Sequence, residues 1–173
     1  AFKMWESALV DSMYLGASPG GFEQLSFYDA MRGELYRDFA DPIGMTSRTL
    51  VEGLFGIQPN ALEKTLTIQP GFPQKWDNAA LEIPDVSFSF DRKNNTDSYQ
   101  IKPNFSTKMD LKLVINIPYD NIKSVRINGE KTTWKTNSDA VGNPQLIIES
   151  PYKENYNIDI RWEGEKLEQP IVN

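Results

Sequence analysis

From about residue 58 onward, the chain is a succession of short segments that alternate apolar and polar side chains and are separated by turn-forming residues. The alternation is clearest in 86–90 and 156–162, as in strands with one buried face. Asn128-Gly129 lies between two such segments, and this dipeptide favours the type I′ turn of a hairpin. About eight short strands with this spacing predict an antiparallel β-sandwich. We place them at 66–68, 86–90, 99–103, 111–117, 124–127, 131–134, 146–149 and 156–162.

Residues 1–57 have a different pattern, in which apolar side chains recur at steps of three and four residues. This spacing predicts a helix over about residues 2–15. A second helix is predicted after Pro42 or Thr46, with Gly56 as its stop. The apolar stripe of the first helix consists of Phe2, Trp5, Leu9 and Met13, and that of the second of Met45, Leu50, Leu54 and Phe55.

Two helices are too few to bury both apolar stripes by themselves. They must pack on the sandwich, on each other or on further protein. The chain also opens without an initiator Met or a signal-peptide pattern, and its first residues already have a helical pattern. We therefore expect the chain to be part of a longer protein, with a boundary between helical and β regions at residue 57.

Charge and composition exclude several kinds of function. The 173 residues include 18 Lys and Arg against 24 Asp and Glu, a net charge of −6. This average field disfavours nucleic acid and anionic membrane surfaces as partners. Cys and His are both absent, which excludes disulfides, thiol nucleophiles and Ser-His-Asp catalysis. No apolar run is long enough to span a membrane, and no calcium-loop or phosphate-loop motif occurs, so we expect no metal and no cofactor.

The connection between the two predicted helices, about residues 16–41, is long and combines aromatic with acidic side chains. Ordered connections of this length are usually functional. Glycoside cleavage needs two carboxyl groups, one that donates a proton and one that activates water or attacks carbon. The acidic residues of the connection are Glu23, Asp29, Glu34, Asp38 and Asp41. In the alternative interpretation Glu23 is an exposed loop acid, and ion pairs of Asp29, Glu34 and Asp38 with Arg32 and Arg37 hold the connection together.

Two consecutive runs resemble a known domain junction. They are Ser47-Arg-Thr-Leu-Val-Glu-Gly-Leu-Phe-Gly-Ile-Gln-Pro-Asn-Ala-Leu62 and Leu66-Thr-Ile-Gln-Pro-Gly-Phe-Pro-Gln-Lys-Trp76. Together they are similar to the junction between barrel and C-terminal sandwich in bacterial (α/α)6-barrel glycoside hydrolases, as in α-L-rhamnosidase-like enzymes and an uncharacterised glycosidase-like family of gut bacteria. Ser124-Val-Arg-Ile-Asn-Gly-Glu-Lys131 resembles a hairpin of the same sandwiches. The resemblance covers roughly residues 40–130.

The resemblance implies a fold and a function. Residues 1–57 would be the terminal helices and a loop of a helical barrel, and 58–173 a C-terminal β-sandwich. The chain would be the non-catalytic C-terminal region of a polysaccharide-degrading glycoside hydrolase, inactive alone, with the rest of the barrel as its partner. A periplasmic or cell-surface location in a bacterium would follow.

Site residues are also implied by this resemblance. The catalytic base of the family lies in a loop before the last barrel helix, within an aromatic-Glu pattern. Glu23, after Phe22, occupies the matching position, although the pattern has Trp where this chain has Phe. Tyr28, Asp29 and Arg32 are the candidates for sugar binding in the same loop.

The tryptophans of the β region allow a second interpretation, in which the chain is a carbohydrate-binding module with exposed aromatic side chains. Trp134 follows a predicted hairpin and is the candidate for stacking on a sugar. Trp162 is in phase with Tyr156, Ile158 and Ile160, so we predict that it belongs to the core. A protein-interaction domain is the third alternative.

Overall fold

A computed structural model describes residues 2–10, 40–140 and 143–167 of the chain. It divides the chain into two compact units, Ala1–Leu54 and Phe55–Asn173. Within the described part, no helix is long and apolar enough to cross a membrane.

The first unit contains helix α1 (Phe2–Val10) and helix α2 (Ala40–Arg48), which continues as a π-helical segment, Thr49–Leu54. The predicted first helix is confirmed over 2–10, and residues 11–15 lie outside the described residues. Three stripe residues, Phe2, Trp5 and Leu9, are half-buried, while Met4 and Val10 are exposed.

The second helix begins earlier than predicted, at Ala40. A hydrogen bond from the Thr49 hydroxyl to the carbonyl of Met45, 2.7 Å, joins α2 to the π-helical segment. Arg48 and Glu52, one helical turn apart on the surface, form an ion pair with a distance of 2.7 Å. Such exposed pairs one turn apart stabilise a helix only slightly.

The second unit is a β-sandwich, which confirms the predicted fold class. Its strands are, in chain order, β1 (Ile57–Asn60), β2 (Thr65–Ile68), β3 (Asn78–Ile83), β4 (Val86–Lys93), β5 (Thr96–Pro103), β6 (Asp110–Asn116), β7 (Tyr119–Ile127), β8 (Glu130–Lys131), β9 (Lys135–Asn137), β10 (Gln145–Ser150) and β11 (Tyr156–Lys166). One sheet has the order β1-β2-β6-β10-β9 and the other the order β3-β4-β5-β11-β7-β8. All these pairings are antiparallel except that of β2 with β6.

The core is built from the alternating faces of the strands. In β4 and β11, every second residue is buried over most of the strand, because successive side chains of a strand point to opposite faces. Trp162 is buried, as predicted from its phase. The largest fully buried side chains are Tyr156, Leu66, Ile68, Ile101, Leu111, Leu113, Leu146, Ile148, Ile158 and Ile160.

The predicted hairpin at Asn128-Gly129 is confirmed. Both residues have positive φ, 51° and 84°, which a type I′ turn requires. The predicted strand at 131–134 is wrong beyond Lys131, because the strand that follows the turn, β8, has only two residues.

The backbone turns sharply where it enters the sandwich. Phe55 is buried, and its ring lies edge-on against Phe72 and Phe88, with centroids 5.1 and 5.7 Å away. Gly56 has φ +66°, and its carbonyl accepts a hydrogen bond of 2.9 Å from the amide of Gln69. The left-handed conformation at Gly56 fits its predicted role as the stop of the helical region.

Candidate functional site

The segment between β2 and β3 contains two aromatic residues, Phe72 and Trp76, that pack near Phe90 of the core. Pro73 accepts a backbone hydrogen bond from the amide of Trp76, 2.9 Å, which closes a tight turn between them. As a result Trp76 stacks on Phe72 (centroids 5.9 Å apart, planes at 27°), and Phe72 stacks on Phe90 of β4 (5.7 Å, 23°). These separations are typical of favourable aromatic pairs.

A cavity of about 50 Å³ adjoins these rings. Its walls come from the 70–76 segment, from β4 and β5 of one sheet, and from the end of β6 in the other. We call it the aromatic pocket, defined by the rings of Phe72, Trp76, Phe90 and Tyr99 and the polar side chains of Arg92 and Asn116. Gln74 and Asn143 also contribute to its lining.

Arg92 and Asp97 form a buried ion pair beside the pocket. They are register partners on β4 and β5. Two parallel hydrogen bonds join the guanidinium to the carboxylate, from Nε to Oδ1 at 2.6 Å and from Nη2 to Oδ2 at 2.7 Å. The Asp97 side chain is 0% exposed and that of Arg92 15% exposed. This two-point geometry fixes the plane of the guanidinium.

The pair keeps Arg92 charged. Burial alone would lower the pKa of Arg92, but the hydrogen bonds and the negative charge of Asp97 outweigh it and raise the pKa above its ordinary value. The guanidinium also lies over the ring of Phe90, 5.3 Å from its centroid. Since Nε and Nη2 are taken by Asp97, Nη1 is the nitrogen without a hydrogen bond within the described residues.

Tyr99 is a buried residue that contributes to the lining of the pocket. Its ring stacks on Phe90 with centroids 5.1 Å apart, and the residue is 3% exposed. Burial, reinforced by the charge of Asp97 and partly opposed by Arg92, raises the pKa of Tyr99 well above its ordinary value. The hydroxyl therefore stays protonated. No residue in the described part of the chain forms a hydrogen bond with it.

Most of the predicted site residues lie outside the described residues, namely Glu23, Tyr28, Asp29 and Arg32. Trp134 is described and lies between β8 and β9, with 37% of its surface exposed. Among the described aromatic residues it is the most exposed, and no ring–ring contact joins it to another of them. A flat platform of two or three exposed rings is therefore not found within 2–10, 40–140 and 143–167.

The part of the chain that the structure describes contains no group of three or more Asp, Glu, His or Cys residues that could hold a metal ion.

The residues of the aromatic pocket were missed by sequence reasoning. A signal for them exists in the alternation of β4, where Arg92 falls on the same face as Val86, Phe88 and Phe90. A charge in an apolar register indicates a buried, paired group.

Neither a scan against protein-family models nor a search of curated proteins finds a match for this chain. The resemblance at the domain junction and the geometry of the sandwich are therefore the features that bear on function.

Proposed function

We propose that the chain is the non-catalytic C-terminal region of a bacterial glycoside hydrolase, located in the periplasm or at the cell surface. Its sandwich stabilises a helical catalytic barrel, and the barrel is its partner. The observation that carries the proposal is the connection at Phe55 and Gly56. In the glycoside hydrolases that the runs 47–62 and 66–76 resemble, this is where barrel and sandwich join.

The connection contains no spacer. The π-helical segment ends at Leu54, Phe55 is already a buried residue of the sandwich, and β1 begins at Ile57. A module that searches for substrate on a tether would need flexible linker residues at this point. A connection without them favours a stabilising role for the sandwich.

The second run, 66–76, also contributes to the packing around Phe55. Phe72 contacts Phe55, and Trp76 covers Phe72 through a stacked contact. Buried aromatic residues contribute much of the apolar area that stabilises a core. The residues that carry the resemblance are therefore residues that hold the entry of the sandwich together.

In this proposal the loop at 16–41 contributes one wall of the active-site cleft. Glu23 acts as the catalytic base, and Tyr28, Asp29 and Arg32 bind the sugar. The second carboxyl group, which donates the proton to the leaving group, belongs to the rest of the barrel.

The test is hydrolysis by the complete gene product that contains this chain, assayed on aryl glycosides and plant polysaccharides. Glu23→Gln should reduce kcat about 100- to 10,000-fold, the usual contribution of a general base. Glu34→Gln is the matched control, because Glu34 lies in the same loop but not in the aromatic-Glu pattern. Equal losses in the two variants would remove the catalytic role of Glu23, and no hydrolysis on any substrate would overturn the proposed function.

A further inference from the structure

We propose that the aromatic pocket binds the terminal residue of a neutral sugar, with hydroxyl groups bonded to Arg92 and Tyr99 and one face of the ring against Trp76. This binding site goes beyond the stabilising role proposed above and does not depend on it. Four features of the pocket lead to this ligand class.

The first feature is the hydroxyl of Tyr99, which has no hydrogen-bond partner among the described residues. Tyr99 is 3% exposed and lines the pocket. Water or a ligand atom in the pocket can therefore pair with this hydroxyl. The hydroxyl can both donate and accept, which suits another hydroxyl group.

The second feature is the charge state of Arg92. Asp97 neutralises it through two hydrogen bonds and holds the guanidinium in place. Arg92 is also the one charged residue among the pocket residues that the structure describes. The pocket thus offers a fixed donor, Nη1, without a net positive charge. A carboxylate or phosphate would find no uncompensated cation there, so a neutral hydroxyl is the better ligand group.

The third feature is the combination of rings and amides in the lining. Sugars have an apolar face of C–H bonds and an edge of hydroxyls, and binding pockets for such molecules pair aromatic walls with a few polar groups. Here the half-buried Trp76 supplies the aromatic wall, and Phe72 supports it from behind through their stacked contact. The amides of Asn116 and Asn143 each offer donors and an acceptor, and neither side chain has a hydrogen bond within the described residues.

The fourth feature is size. A volume of about 50 Å³ has room for about three to five water molecules at 10–15 Å³ each. A whole oligosaccharide cannot enter such a volume, but a hydroxymethyl group or two neighbouring hydroxyls of one ring can. The pocket therefore suits a monosaccharide or the end of a sugar chain, bound by one edge.

The experiment is a titration of the full chain followed by amide and indole NMR signals. The probes are glucose, galactose, mannose, xylose, arabinose, rhamnose and fucose, with glucuronate and galacturonate as acidic counterparts of two of them. We expect at least one neutral sugar to bind with Kd on the order of 1 mM and to shift the indole signal of Trp76 but not that of Trp134. Binding of none of the neutral sugars, or preference for the acidic counterparts, would overturn the proposal.

Two variants locate the site. Tyr99→Phe keeps the ring packed and removes only the hydroxyl, so binding should weaken about 5- to 30-fold, as expected for a lost hydrogen bond. Trp134→Ala should leave the affinity unchanged. The opposite result, loss in Trp134→Ala with full affinity in Tyr99→Phe, would move the sugar to the exposed tryptophan and refute the pocket. Neither result depends on hydrolysis by the complete gene product, so this inference and the proposed function fail separately.

Discussion

The backbone of Gly56 packs directly against the peptide group of Gln69. The two residues share a hydrogen bond of 2.9 Å, and a β-carbon on Gly56 would lie 1.9 Å from the carbonyl oxygen of Gln69. No real β-carbon approaches backbone so closely, and the obstacle is a peptide group that cannot rotate away. The entry to β1 and the exit from β2 can therefore keep this arrangement only with glycine at position 56.

We expect Gly56→Ala to lower the free energy of unfolding by about 2–5 kcal/mol. About 1–2 kcal/mol comes from placing alanine at a positive φ, and the rest from displacing the Gln69 peptide in a packed region. Gly129→Ala is the matched control, because Gly129 also has a positive φ but nothing within 4 Å of an added β-carbon. Urea denaturation measures the free energy of unfolding of both variants. Equal losses in the two variants would mean that the contact with Gln69 does not restrict position 56 to glycine.

The buried pair of Arg92 and Asp97 gives a second prediction. Arg92→Leu leaves the fully buried carboxylate of Asp97 without its partner, so we expect a loss of about 3–5 kcal/mol. The double variant Arg92→Leu with Asp97→Leu removes both charges and should be more stable than the single variant. The measurement is the unfolding midpoint of each protein in urea.

A surface pair serves as the control for that experiment. Lys123 and Glu163 are 3.1 Å apart, and both side chains are more than half exposed. Exposed pairs contribute little because water and salt screen them, so Lys123→Ala should leave the unfolding midpoint unchanged.

A double variant of Arg92 and Asp97 that is less stable than Arg92→Leu would contradict the view that an unpaired buried charge is the source of the loss.

Local signals explain how much of the fold could be predicted. Alternation in β4 and β11 and the turn at Asn128-Gly129 are properties of a few adjacent residues, and they predicted strands and a hairpin correctly. Strand β1 has no such signal, because Pro59 interrupts it and its last three residues are exposed. Its strand conformation depends on pairing with β2. The parallel pairing of β2 with β6 likewise joins distant segments, and nothing local encodes it.

The site was harder to predict than the fold. The aromatic pocket combines side chains from three strands and from the segment 70–76, and their proximity follows from the topology of both sheets. Trp76 ends the second run that resembles the domain junction, but its stacking on Phe72 could not be predicted from that run. Sequence alone could have indicated Arg92, whose inward position on β4 requires a partner, but not which residue provides it.

Tyr99 predicts a loss of stability at alkaline pH. Its pKa is raised in the folded protein, whereas an unfolded tyrosine titrates near 10. Above pH 10 the unfolded chain therefore binds fewer protons than the folded one, so stability is full below pH 10 and decreases as pH rises, with a slope of up to about 1.4 kcal/mol per pH unit from this group. Tyr99→Phe should show a shallower decrease between pH 9 and 11 in urea denaturation. The same slope in both proteins would contradict a raised pKa of Tyr99 in the folded protein.

Trp162 gives a prediction about an unsatisfied donor. The side chain is 3% exposed in the core, yet its Nε1 is buried with no hydrogen-bond partner among the described residues. Trp162→Ala should lower the free energy of unfolding by about 3–5 kcal/mol, because it leaves a large cavity. Trp162→Phe leaves a smaller cavity but also removes the buried N–H, whose desolvation costs about 1–3 kcal/mol, so the two effects offset and we expect a net loss of about 1 kcal/mol or less. Thermal and urea denaturation of the two variants would separate these contributions. A phenylalanine variant that loses as much as the alanine variant would show that Nε1 does have a partner in solution, such as an ordered water molecule.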